Sequence, residues 1–236
     1  MTADDARPRL QELTRQYDLA AHQRDRLAGL LSLLEGDERA PTAVRSPEQA
    51  VDVHIADSLV ALELEVVRSA ATIADLGAGA GFPGLALAVA LPGAEVRLVE
   101  SQRRKCAYLD DVIAEVGLEN ARVVCARAEE WSEGERRQDV VTARALAAQP
   151  VVLEYAAPLL SLGGTLVDWR GKRVSRDEDA AARAADELGL RLVEVRRVEP
   201  FESATDRHLH VYLKTRETPA RFPRRAGVAR KRPTGV

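Results

Sequence analysis

At 236 residues the chain is long enough for one α/β domain with an appendage, or two small domains, and its 46% apolar and 30% charged residues are an ordinary globular balance. No stretch approaches the ~18 uncharged apolar residues of a membrane span, and Met1-Thr2-Ala3-Asp4-Asp5 lacks the basic-then-apolar opening of a secretory leader, so a cytoplasmic setting is expected. The net charge of −3 is segregated: residues 214–236 hold eight basic residues against Glu217, a balance of +7 that leaves −10 on the rest.

Residues 6 to 36 read as helical, with Leu10, Leu13, Tyr17, Leu27, Leu30, Leu31 and Leu34 at helix spacing. Gly36-Asp37 ends the run, and Pro41 and Pro47 bound a polar connector. A second helical stretch carries Val51, Ile55, Leu59 and Leu62. From Thr72 the pattern changes to short apolar runs alternating with helical ones. Strands are expected at Thr72–Leu76, Glu95–Glu100, Arg122–Ala126, Asp139–Ala143, Thr165–Trp169, Arg191–Val198 and His208–Lys214. Helices are expected near Pro83–Ala90, Arg103–Val116, Pro150–Leu160 and Arg176–Leu188.

This alternation predicts a mostly parallel sheet covered on both faces. Pro200–Arg207 is too short for a helical crossover, so one of the last two strands should run antiparallel. The expected organisation is an N-terminal helical segment over 1–68, an α/β domain over 69–215, and a basic tail over 216–236 that is mobile until it meets a partner.

The segment Asp75-Leu76-Gly77-Ala78-Gly79-Ala80-Gly81-Phe82-Pro83-Gly84 follows the first strand and opens a helix, where a nucleotide-binding turn belongs. Glu100 ends the second strand, in position to bind a ribose diol. Residues 79–84 match G-x-G-x-x-G, so a dinucleotide and an oxidoreductase need weighing. Asp75 separates the two cases: its charge would oppose a pyrophosphate at the helix N-terminus but welcome a cationic ligand. S-adenosylmethionine carries an adenosine, a sulfonium and an amino acid, and no phosphate. Asp75, Gly77, Gly79, Gly81, Phe82 and Glu100 are therefore cofactor candidates. After the third strand, Ala128 and Glu129 are placed to meet adenine through backbone and carboxylate. After the fourth, Arg144 stands at the carboxyl edge, where open α/β sheets bind ligands, and needs a partner if buried; the alternative is a structural ion pair at the sheet edge.

Arg103, Arg104 and Lys105 open a helix, where the macrodipole disfavours cations. With Arg170, Lys172 and Arg173 after the fifth strand they form a candidate phosphate-contacting edge, to which Arg224, Arg225, Arg230, Lys231 and Arg232 of the tail would add a diffuse clamp. The alternative is ordinary solvated charge. Cys106 and Cys125 read as core residues, and too few for a thiolate metal site or a disulfide framework. His22, His54, His208 and His210 show no metal-ligand spacing, and His54 with Asp57 and Ser58 reads as a local feature pinning the N-terminal segment to the sheet. Tyr108, Trp131, Tyr155 and Trp169 read as packing rather than base-stacking residues.

These residues closely resemble the bacterial small-subunit ribosomal RNA methyltransferase G family, also called glucose-inhibited division protein B. The resemblance runs from about His54 to Lys214. It rests on His54-Ile55-Ala56-Asp57-Ser58-Leu59, on Asp75 to Gly84 with its Gly-Phe-Pro-Gly ending, on Glu100-Ser101 with Lys105, and on Ala143-Arg144-Ala145. The Trp-Asn usual in the first helical segment of the family is not recognisable here; Leu27–Leu34 stands in its place.

The resemblance implies a class I methyltransferase (Rossmann-like) fold with a mixed, mostly parallel sheet, and S-adenosylmethionine as donor. It implies N7 of one guanine in 16S rRNA as acceptor, within the small ribosomal subunit or an assembly intermediate. Cofactor contacts are implied at Gly77, Phe82, Ala128, Glu129 and Arg144. No general base or metal is expected, and Arg144 is the candidate for orienting the reactants. Two other functions compete: methylation of a small metabolite, which would proceed without RNA, and a ribosome-associated protein holding S-adenosylmethionine as a structural ligand.

Overall fold

The computed structural model describes residues 6–236; the leader reading at Met1–Asp5 lies outside them. Seven strands form one sheet in the order β3-β2-β1-β4-β5-β7-β6. They are β1 (Thr72–Leu76), β2 (Glu95–Glu100), β3 (Ala121–Cys125), β4 (Gln138–Arg144), β5 (Leu160–Arg170), β6 (Leu190–Val198) and β7 (Arg207–Lys214). The first five pair in parallel, and β7 runs antiparallel between β5 and β6. The short Pro200–Arg207 connection thus has the consequence the sequence implies. Residues 73–76 of β1 are buried on both faces, as a central parallel strand requires.

Alternate strand residues feed two cores. Ile73, Val96 and Leu98 pack with the N-terminal helices α1 (Arg7–Gln16) and α2 (Ala21–Gly36), and with α6 (Gly84–Ala90) and α7 (Arg103–Val116). Ala74, Leu76, Val99 and Val141 pack on the other face with α8 (Gln149–Ala156), α9 (Ser175–Leu188) and the C-terminal segment. α7 buries Cys106, Leu109 and Val112 and stops at Gly117, whose φ of 70° closes the helix in the left-handed region. α9 buries an alanine stripe with Leu188 and places Asp177 and Glu178 in its first turn, where they complement the macrodipole.

Several expected boundaries shift. The single helical run over 6–36 is two helices, broken at Asp18 with φ 55°. Gln23 locks the second in place: its side-chain oxygen accepts from the Ala20 N–H, and Nε2 donates to the carbonyls of Val89 and Ala90 at the end of α6. The second stretch is a chain of short turns: α3 (Pro47–Ala50), a π-helical turn (Val51–Ala56), α4 (Asp57–Leu59), a 3-10 turn (Val60–Glu63) and α5 (Glu65–Arg68). α8 ends at Ala156 rather than near Leu160, because Leu160 already pairs with Gln138 in the sheet.

The tail is not the mobile segment expected. Phe222 and Ala229 are buried in the second core, and the chain forms a last helix, α10 (Val228–Lys231). The cysteines also differ from expectation. Cys106 is buried, but Cys125 is exposed and the two are joined in a disulfide, with Cα atoms 5.8 Å apart. The parallel register pairs Cys125 with Glu100, and Cys106, in the first turn of the next helix, packs back onto that position.

Candidate cofactor site at the carboxyl edge of the sheet

The carboxyl ends of β1, β2, β3 and β4 converge on a pocket of about 230 Å³. Its walls include Gly77, Glu100, Ala128, Glu129, Leu146 and Arg230. Gly77, with φ 68°, is one of the lining residues; a Cβ there would stand 2.5 Å from Leu146 Cδ1, so only glycine leaves the turn and its neighbour in place.

Two acids shape this side. Asp75 is 1% exposed; one oxygen accepts from the Gly84 N–H at 2.9 Å and the other from the Thr142 hydroxyl at 2.9 Å. Burial pushes its carboxyl up to about 6, against those two hydrogen bonds. Asp75 stands behind the turn, outside the pocket lining, and fills, with the protein's own anion, the start of α6 where a pyrophosphate would dock in a dinucleotide site. Glu100 does line the pocket. Its Oε1 accepts from Ser101 N at 2.7 Å and Gln102 N at 2.8 Å, and its Oε2 from Gly79 N at 3.2 Å. Three donors leave acceptor capacity on a carboxylate for a hydroxyl.

Gly79 thus acts through its N–H. Gly81 does not approach the pocket: a Cβ there would strike Leu85, so it is a packing glycine. Phe82 is buried and stacks on His54, ring centroids 4.9 Å apart. Ala128 and Glu129 lie in a short turn after β3, on the pocket wall.

Arg144 is turned toward the N-terminal segment. Nη1 donates to Asp57 Oδ2 at 2.8 Å and to the Val53 carbonyl at 3.0 Å, and Nη2 lies 3.4 Å from His54 Nδ1. The Asp57 side chain is 2% exposed, and Trp169 Nε1 donates to its carbonyl. Burial, then the Arg144 charge, lowers His54 to about 4, so it is a neutral bridge rather than a proton carrier at pH 7. His54 also meets the Thr42 hydroxyl at 3.1 Å. The local pinning role read for His54 and Asp57 is what the structure shows, with Arg144 as the group pinned.

The basic candidates divide. Arg103 and Arg104 are exposed at the start of α7, and Lys105 reaches the pocket. Lys172, Arg225, Lys231 and Arg232 are exposed. Arg170 is held by Asp168 at 2.6 Å and by the Ala147 carbonyl, and Arg173 by Glu178 at 2.6 Å, so neither is the free cation expected. Burial pushes Asp168 up to about 6 even beside Arg170. Arg224 grips the buried carboxylate of Glu154, and Arg230 donates to the Leu146 carbonyl at 3.2 Å while lining the pocket. Leu146, Tyr155 and Arg230 are pocket residues that sequence reasoning missed or assigned elsewhere. Glu154 was the available signal: an acid inside the apolar run from Pro150 to Leu160 requires a basic partner. Trp131, Tyr108 and Trp169 are buried packing residues.

Residues 27–209 match the family described as rRNA small subunit methyltransferase G. A relative named ribosomal RNA small subunit methyltransferase G from Syntrophomonas wolfei is 42% identical over 78% of this chain and 86% of its own length. The chain belongs to this family. A relative of the same name from Deinococcus radiodurans is 39% identical over 92% of this chain and 87% of its own. The fold is that of class I methyltransferases: a SAM-dependent O-methyltransferase of Thermotoga maritima superposes with a TM-score of 0.55 over 80% of this chain and 72% of its own, at 16% identity. As a family member the chain is an S-adenosylmethionine-dependent rRNA methyltransferase. The pocket that the glycine turn, Glu100 and Glu129 line lies at the carboxyl edge of this fold's sheet. Among the described residues no helix is long and apolar enough to cross a membrane.

Proposed function

We propose that the chain methylates N7 of a guanine in 16S rRNA, and that the pocket at the ends of β1 to β4 holds the donor. The observation that carries this reading is the arrangement of acids around the glycine turn, in a chain that belongs to the methyltransferase G family. Asp75 occupies the helix start that a pyrophosphate would need, while Glu100 opens to the pocket.

Gly77, Gly79 and Glu100 bind the ribose side, Ala128 and Glu129 the base, and Asp75, Gly81 and Phe82 hold the turn that presents them. When bound, S-adenosylmethionine supplies a methyl group on a positively charged sulfur. The N7 lone pair lies in the plane of the base and carries no proton, so the residues need remove none. Their task is alignment and exclusion of water. Arg144, fixed by Asp57 and His54 at the end of β4, orients the reactants from the side facing the N-terminal segment. Arg103, Arg104, Lys105 and Lys172 offer cations to the RNA backbone around the pocket.

The test is transfer of labelled methyl from S-adenosylmethionine to small ribosomal subunits lacking the modification, followed by identification of the nucleoside. Label confined to one 16S guanine at N7 is expected. Label on another nucleoside, or none, contradicts the proposal.

A further inference from the structure

The C-terminal segment folds back beside the pocket. Its fold-back is anchored at a buried carboxylate. Glu154, 1% exposed on α8, accepts from Arg224 Nε at 2.7 Å and from the Thr234 hydroxyl at 2.8 Å. Arg183 adds a hydrogen bond to the Gly235 carbonyl at 2.8 Å. Between these anchors the chain passes the pocket. The Gly227 N–H donates to Glu129 Oε1 at 3.1 Å, leaving the other oxygen of that carboxylate uncommitted to the tail. Arg230 lines the same pocket as Glu100 and is tied to the Leu146 carbonyl, and the Tyr155 hydroxyl faces both Arg230 and Glu129.

We propose that residues 225–230 form the outer wall of the nucleoside end of the pocket, with Gly227 orienting Glu129 and Arg230 covering the base, so that the C-terminal segment sets donor affinity. This rests on the cofactor reading above. A carboxylate held by a backbone N–H is preorganised to accept from an exocyclic amino group. A planar guanidinium is suited to lie against a purine. Neither contribution needs the tail's net charge, which is why an electrostatic clamp on RNA does not account for them.

Titration calorimetry with S-adenosylhomocysteine and with 5′-methylthioadenosine, on the full-length protein and on Arg230→Ala, tests the proposal. Arg230 is exposed, so its replacement leaves the fold intact. Both ligands share the nucleoside and differ in the amino acid, so both should weaken by the same factor, about tenfold for the loss of one charged contact. Unchanged affinity of Arg230→Ala for both ligands overturns the proposal, as does a loss confined to S-adenosylhomocysteine. Failure of the wild type to bind either nucleoside removes the cofactor reading itself, and the proposal with it.

Discussion

The carboxyl edge of the sheet has two sides that use buried acids differently. On the β1–β2 side, Asp75 and Glu100 accept from backbone N–H groups and from one hydroxyl, with no ion pair to a cation among the described residues. On the β4–β5 side, Asp57 and Asp168 each hold an arginine, Arg144 and Arg170. An acid that binds backbone fixes a shape and keeps spare acceptor capacity for a neutral or cationic ligand. An acid that binds a guanidinium fixes a charge in place and cancels much of it. The β1–β2 side is therefore a shaped cradle, and the β4–β5 side a pair of arginines held in place by their acids.

The comparison breaks most severely at Asp57. Asp57→Ala leaves Arg144 largely buried without its partner, and urea unfolding should show a loss of about 3–5 kcal/mol. A smaller effect falls on the cradle. Glu100→Gln should cost about 1.5–3 kcal/mol in S-adenosylhomocysteine binding by calorimetry, because charge-assisted hydrogen bonds are lost. Stability in that variant should move much less than affinity.

How much of this was legible beforehand follows the range of the interactions. The glycine turn and Glu100 were readable because each sits at a strand end, and strands show in local sequence. That Arg144 needs a partner was readable too, but Asp57 lies 87 residues upstream on a segment that meets the sheet only after folding. The tail was misread because Pro219, Pro223, Pro233 and its charges have the composition of a mobile segment, while its anchors, Phe222 and the Glu154–Arg224 pair, become evident only in tertiary structure. The disulfide likewise depends on the β2–β3 register, not on a spacing of 19 residues.

A pH profile sharpens the contrast. Asp75 and Asp168, at about 6 in the fold against 3.8 in the free side chain, give stability that is present below 3.8 and lost as pH rises through 6. His54 and His210, lowered to about 4 from 6.5 chiefly by burial, act oppositely: their contribution is present above 6.5 and lost as pH falls through 4. The two pairs oppose each other between about pH 4 and 6. Asp75→Asn removes one falling contribution, so its stability should climb more steeply with pH across that window than the wild type's, as urea unfolding at several pH values would show. An identical slope would contradict a raised Asp75. Smallest is the effect at the exposed edge: Arg103→Ala and Arg104→Ala should each reduce the slope of log affinity for RNA against log salt by about 0.7–0.9, measured by filter binding.

The division of labour between the two sides is tested most directly by the single-turnover methyl-transfer rate at saturating donor, measured on small ribosomal subunits for Arg144→Lys and Glu100→Gln side by side. Glu100→Gln should recover a rate close to wild type once saturated, whereas Arg144→Lys, which cannot keep the geometry of its contacts to Asp57, Val53 and His54, should stay far below it. A wild-type rate in Arg144→Lys would contradict the account.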